Sequence, residues 1–277
     1  MTSEPLPSSP TPQRWRPSPL VRGSIGLHVG ALALVVARPS AWPWAVGAVL
    51  ADHALLTAMG LTPRSALLGP NWTRLPAAAA GRQQLAITID DGPDPRITPR
   101  VLDLLDERGV KATFFCIGER VQRCAELARE IVRRGHAVEN HSQRHLNYFS
   151  LLGPRGLIAE IERAQDTIGI ATGQQPLFFR APAGFRSPFL DPVLSRLGLR
   201  LASWTRRGFD TVRASAESVL GKLTRDLGAG DILLLHDGHA ALTANGVPVI
   251  LEVLPRLLDA VASAKLTPVT LRAALTP

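Results

Sequence analysis

The chain has 277 residues, 45% of them hydrophobic, which suffices for one large α/β domain with an appendage and excludes a disordered protein. Its formal charge of +8 raises nucleic acid as a partner, but only 5% of residues are aromatic and no basic run is interleaved with them, so nucleic acid is set aside. The same balance fits attraction to an anionic membrane surface.

Residues 1–22 are rich in Pro, Ser and Arg, lack helical periodicity and read as a disordered tail that ends in Arg14, Arg16 and Arg22. From Gly23 the sequence turns apolar, GSIGLHVGALALVVA, and after Arg38-Pro39-Ser40 a second apolar stretch runs to Leu61. Trp42 and Trp44 near one end, a first run free of formal charge and the flanking arginines favour a membrane hairpin over 23–61. The competing readings are a cleaved signal peptide and a soluble helical hairpin, the latter supported by Asp52 and His53 inside the second run. If both segments span, Arg16, Arg22, Arg64 and Arg74 place both ends in the cytoplasm; if one spans, the catalytic part faces outward. The sequence leaves the side open.

Residues 62–82 read as a linker, and residues 83–277 as the main domain, where strand-like runs alternate with amphipathic helical patterns. Strands are expected at 84–90, 112–117, 137–140, 177–180, 199–204, 231–236 and 268–271. Helices are expected near 98–108, 119–134, 154–172, 188–197, 215–227 and 249–264. This alternation, without a Gly-rich phosphate loop, implies a parallel sheet and favours a distorted (β/α) barrel of about seven strands over an open nucleotide-binding sheet. Cys116 and Cys124 lack metal-type spacing and read as packing residues, not as a disulfide.

In such a barrel the residues that end strands line the active face. Here those are Asp90 and Asp91 in AITIDDGPDP, His141 and His145 in NHSQRH, Arg180, Asp210 shortly after Trp204, and His236. If NHSQRH starts a helical turn, both histidines project from one face, and two of them with a carboxylate make a three-ligand metal set that leaves a position for water or substrate. One carboxylate of the adjacent pair can then bind the metal while its neighbour stays free as a base, and the metal relieves their repulsion.

The segments TIDDGP, HSQRH, RAPAG, Trp204 to Asp210 and LLLHD resemble, in order and rough spacing, the motifs of the polysaccharide deacetylases of carbohydrate esterase family 4, which act on chitin, chitooligosaccharides and peptidoglycan. The resemblance covers about residues 84–272 and leaves the hairpin unexplained. It implies a metal-dependent N-deacetylase of an N-acetylated glycan, with Asp90 as base paired to Arg180, Asp91, His141 and His145 on a divalent metal, usually zinc, and His236 as acid. It also implies Asp210 as the retained acid of the fourth motif, Leu234 in the acetate pocket, Ala183 as the oxyanion N–H donor and Trp204 beside the substrate. A lipid-linked amino sugar at the membrane face is the alternative substrate, and an inactive carbohydrate-binding relative the alternative class. Departures stand at Ala183 in place of an aromatic, at Arg207 in place of an acid, at Thr211 in place of a Trp and at Glu139 in place of a Gly. The fourth-motif changes put the orientation of His236 in question, with Asp210 or Asp237 as the substitute partner.

Overall fold

The computed structural model describes residues 11–276. Two helices, α1 (Pro19–Ala37) and α2 (Trp42–Gly60), form the N-terminal hairpin around a 3-10 turn at Pro39–Ala41. The hairpin starts at Pro19, inside the stretch read as a tail, because Ser18 accepts a hydrogen bond from the Val21 N–H and proline at the first helical position forfeits no bond. Ahead of it the Gln13 N–H donates to the Ser195 carbonyl and Trp15 Nε1 to Asp191 Oδ2, both at 2.8 Å, so this part of the expected tail lies against the domain. The rest of that expectation, at residues 1–10, falls outside the described residues.

The hairpin is apolar on its outer surface, with Leu32, Val36 and Trp44 more than two-thirds exposed. Its polar groups meet between the helices: Ser24 Oγ donates to Asp52 Oδ2 at 2.6 Å, and His28 Nε2 lies 3.0 Å from His53 Nε2. Among the described residues α1 is the one helix long and apolar enough to cross a membrane, at a mean hydropathy of 1.8.

Eight parallel strands follow: β1 (Gln84–Asp90), β2 (Thr113–Cys116), β3 (Ala137–Asn140), β4 (Phe178–Phe179), β5 (Arg200–Leu201), β6 (Arg206–Arg207), β7 (Ile232–His236) and β8 (Thr267–Pro268). The order is β5-β4-β3-β2-β1-β7-β6, with β8 also pairing β1, so the barrel stays open between β5 and β6. The seven expected strands are present, several of them shorter. The eighth, Arg206–Arg207, was not expected because two arginines carry no strand pattern. Trp72 bridges to Ala202 and Arg74 to Asp231, so the stretch read as a linker is seated along the open seam and enters a short helix, α3 (Ala77–Gly81).

Outside the sheet lie α4 (Thr98–Glu107), α5 (Gly118–Arg123), α6 (Ala125–Arg133), α7 (Pro154–Thr172), α8 (Leu190–Leu197), α9 (Ala216–Thr224) and α10 (Val249–Ser263). One expected helix, 119–134, is two, broken at Cys124, whose φ of −126° is not helical.

The alternation of side chains along each strand sets the position of the site. Leu85, Ile87 and Ile89 of β1, with Leu233 and Leu235 of β7, pack outward in the main core, whereas Ala86, Ile232 and Leu234 face the interior with Phe115, Phe178 and Trp204. Counting on in twos, Asp90 shares the interior parity of Ala86, Arg180 that of Phe178, and His236 that of Leu234. The outward parity receives Asn140, which donates to the Ile161 carbonyl and Gln165 of α7, and Asp237, which accepts from Thr98 of α4.

Candidate active site

Asp90 ends β1 as the neighbour of His236 in the parallel register. Arg180 Nη1 donates to Asp90 Oδ1 at 2.6 Å and to Thr88 Oγ1 at 2.8 Å. Its other nitrogens donate to the carbonyls of Ala202 and Ser203, at 3.1 and 2.7 Å, and its guanidinium lies 4.0 Å over the Phe115 ring. A fully buried arginine with every nitrogen engaged is a fixed counter-charge, which holds Asp90 in one orientation.

Asp91 lies beyond the strand with a φ of 72°, so its side chain leaves the alternation and turns to a different partner set. The following residue must be glycine, because a Cβ at Gly92 would stand 2.6 Å from the Asp237 carboxylate oxygens. Asp91 Oδ1 is 3.3 Å from both His141 Nε2 and His145 Nε2, and it is buried without a hydrogen bond. A separation of roughly 3.3 Å is that of two donors on a tetrahedral ion with ligand distances near 2.0–2.1 Å, so the three residues fit a divalent metal. His141 Nδ1 meets the Arg180 carbonyl at 2.9 Å, the second-sphere contact that leaves Nε2 as the free electron pair. Burial, helped by the charge of His141, brings His145 down to about 4, which keeps this ring neutral and able to ligate. Burial opposes the charge of Asp91, yet the imidazoles of His141 and His239 hold its carboxyl well below the usual range. Positive φ recurs here, at Ser142 (64°), His145 (53°), Ala183 (54°) and His239 (63°), a concentration of strained backbone that functional sites show.

On the opposite side His236 Nδ1 lies 2.9 Å from Asp210 Oδ1, and the His236 N–H donates to Asp210 Oδ2 at 2.7 Å. Burial disfavours the charged ring, but the Asp210 hydrogen bond and charge prevail and raise the pKa of His236. Asp210 is therefore the partner of this imidazole. Asp237 faces Thr98, and burial pushes it up to about 7. Arg207, at the position of the missing acid, lies over the Trp204 ring at 5.4 Å.

Asp90, Asp91, His141, His145 and His236 line one cavity of about 220 Å³, together with Ala183, Leu234 and Trp204. Arg180 lies beneath it and Asp210 behind His236. His239, absent from the sequence-level set, also lines it: Arg120 donates to its Nε2 at 2.8 Å and its Nδ1 is 3.2 Å from Asp91 Oδ2. The available signal was a second histidine just past the same strand end, in LLLHDGHA. Glu139 lies away from the cavity; its carboxylate accepts from the Leu177 and Phe178 N–H groups at 2.7 and 2.9 Å and from Arg272 at 2.6 Å, and so joins β3 to β4.

An open parallel barrel with a His–His–Asp ligand set, a buried Asp–Arg pair and an Asp-held imidazole around one cavity defines a metal-site hydrolase. The family model for polysaccharide deacetylase matches residues 77–202. The peptidoglycan-N-acetylglucosamine deacetylase of Bacillus cereus is 35% identical over 175 residues, covering 62% of this chain and 81% of that one. A family 4 carbohydrate esterase from Streptomyces lividans, solved in complex with acetate, has 31% identity and a TM-score of 0.60, over 67% of this chain and 91% of that one. A variant, with restored enzymatic activity, of a family 4 pseudoenzyme from Bacillus anthracis has 25% identity and a TM-score of 0.63, over 70% of this chain and 67% of that one. The chain belongs to the polysaccharide deacetylase family.

Proposed function

We propose that this chain removes the acetyl group from the nitrogen of an N-acetylated amino-sugar glycan, with a zinc ion held by Asp91, His141 and His145. The observation that carries the reading is the convergence of that triad, the Asp90–Arg180 pair and the His236–Asp210 pair on one small cavity. Because a pseudoenzyme of family 4 is among the similar structures, it is this convergence that supports an active enzyme here.

A divalent metal held by Asp91, His141 and His145 would supply Lewis-acid polarisation of the acetamide carbonyl and of the attacking water. Asp90, fixed by Arg180, takes the proton of that water as it adds to the carbonyl carbon. The Ala183 N–H donates to the carbonyl oxygen as negative charge develops there. His236, whose protonated form Asp210 favours, gives its proton to the sugar nitrogen as the C–N bond breaks, and the products are acetate and a free amine. Leu234, fully buried at the cavity wall, packs against the acetyl methyl, and Trp204 offers a ring face to the sugar.

The exposed apolar surface of α1 anchors the chain to a membrane, and residues 83–277 form the catalytic unit, with 62–82 fixed against it. Metal analysis of purified protein tests the site. The wild-type chain is expected to retain about one equivalent of zinc and Asp91→Ala to lose metal affinity by at least tenfold, roughly the lower end for disturbing a ligand shell. Equal metal content in both would refute the assignment.

A further inference from the structure

A second cavity, of about 530 Å³, adjoins the catalytic one and shares Ala183, Trp204 and Arg207 with it. Its lining includes five cations, Arg64, Arg206, Arg207, Lys222 and Arg225, and no carboxylate. Among the described residues only Arg206 of the five is paired, to Asp231 at 2.6 Å. Arg207 lies over Phe209 at 5.0 Å as well as over Trp204, and its Nε is buried without a hydrogen bond. Lys222 Nζ stands 5.8 Å from the same Phe209 ring. Like charges gathered in one concave, partly apolar site repel one another, and an anion that fills the site removes that cost.

The far wall belongs to the chain that leaves the hairpin. Ser203 Oγ donates to the Pro63 carbonyl at 2.7 Å and Arg64 Nη1 to the Thr205 carbonyl at 3.1 Å. A Cβ at Gly184 would meet Trp204 at 2.6 Å and Pro63 at 2.7 Å, so this wall is packed tightly against the catalytic cavity. Only Leu61 and Thr62 separate Pro63 from Gly60, the end of α2. The basic groove therefore lies between the reacting acetamide and the root of the apolar hairpin.

We propose that this groove is a subsite for a phosphate or diphosphate group carried by the glycan, so that the enzyme prefers a phosphate-linked N-acetylated amino sugar. The proposal rests on the deacetylase reading for the reaction and goes beyond it for the substrate. Arginines with free N–H edges suit phosphate oxygens, and the arginine in place of an acid at position 207 couples the phosphate to the catalytic cavity.

The test uses the full zinc-loaded chain in detergent micelles and three substrates: N,N′-diacetylchitobiose, its 1-phosphate, and the same disaccharide on farnesyl diphosphate. Released amine gives kcat/KM. Both phosphorylated substrates are expected to exceed the neutral one by at least about tenfold at low salt. The advantage is expected to shrink with added salt and to disappear in the Lys222→Glu/Arg225→Glu variant. Equal values for the 1-phosphate and the farnesyl compound identify the phosphate alone as the determinant, whereas a further gain for the farnesyl compound adds the lipid surface. Equal turnover of all three overturns the proposal and leaves the deacetylase reading intact. If none is turned over, the deacetylase reading fails, and calorimetric titration with the 1-phosphate against the neutral disaccharide decides the subsite alone. Tighter binding of the phosphate, weakened by the charge-reversal variant, upholds it; equal binding overturns it.

Discussion

The two adjacent aspartates differ because the backbone changes direction between them. Asp90 completes the interior parity of β1 and meets Arg180, whereas Asp91, at a φ of 72°, leaves that parity and meets His141 and His145. A comparable division separates Asp210, hydrogen-bonded to His236, from Asp237, which faces α4. As the proposed general acid, His236 must be protonated to act, so activity is expected to fall as pH rises through its pKa, and a raised pKa extends activity to higher pH. Asp210→Asn removes the charge that raises it. The alkaline limb of the kcat/KM profile is therefore expected to move down by about one pH unit, a shift typical of losing a close counter-charge. An unmoved limb would exclude Asp210 as the group that tunes His236.

At the scale of elements, much of the site was legible because the period of two carries it. The run AITID announces a buried strand, and Asp90, Arg180 and His236 inherit their direction from the interior positions Ala86, Phe178 and Leu234, four, two and two residues back. What was not legible depends on contacts between segments distant in sequence. The pairing of Trp72 and Arg74 with the sheet leaves no alternating pattern in a stretch rich in Pro and Asn. His239 reaches Asp91 only through the fold of the loop after β7, and Arg206–Arg207 is too short and too charged to read as a strand. Glu139 belongs to the same class, since its partners, Leu177, Phe178 and Arg272, lie far along the chain. Its replacement by Ala removes the acceptor of two backbone N–H groups and the carboxylate partner of Arg272. The expected loss is about 3 kcal/mol of unfolding free energy, read from the denaturant midpoint at constant slope. A loss below about 0.5 kcal/mol, the range of ordinary surface changes, would contradict the splice between β3 and β4.

At the scale of the whole molecule, the open seam between β5 and β6 is the organising feature. The chain that follows the hairpin fills it, pairing at Trp72 and Arg74, and its Pro63 and Arg64 line the cavity that adjoins the site, so the apolar helices emerge beside it. The measurement that tests the central claim most directly is amine release from an N-acetylated chitooligosaccharide by the full chain, after metal removal by a chelator and after zinc is restored. The expected result is negligible release without metal, recovery with zinc, and a loss of at least about a hundredfold in Asp90→Asn, the contribution of one positioned base. Release that survives the chelator, or an Asp90→Asn variant as active as the wild type, would contradict the account.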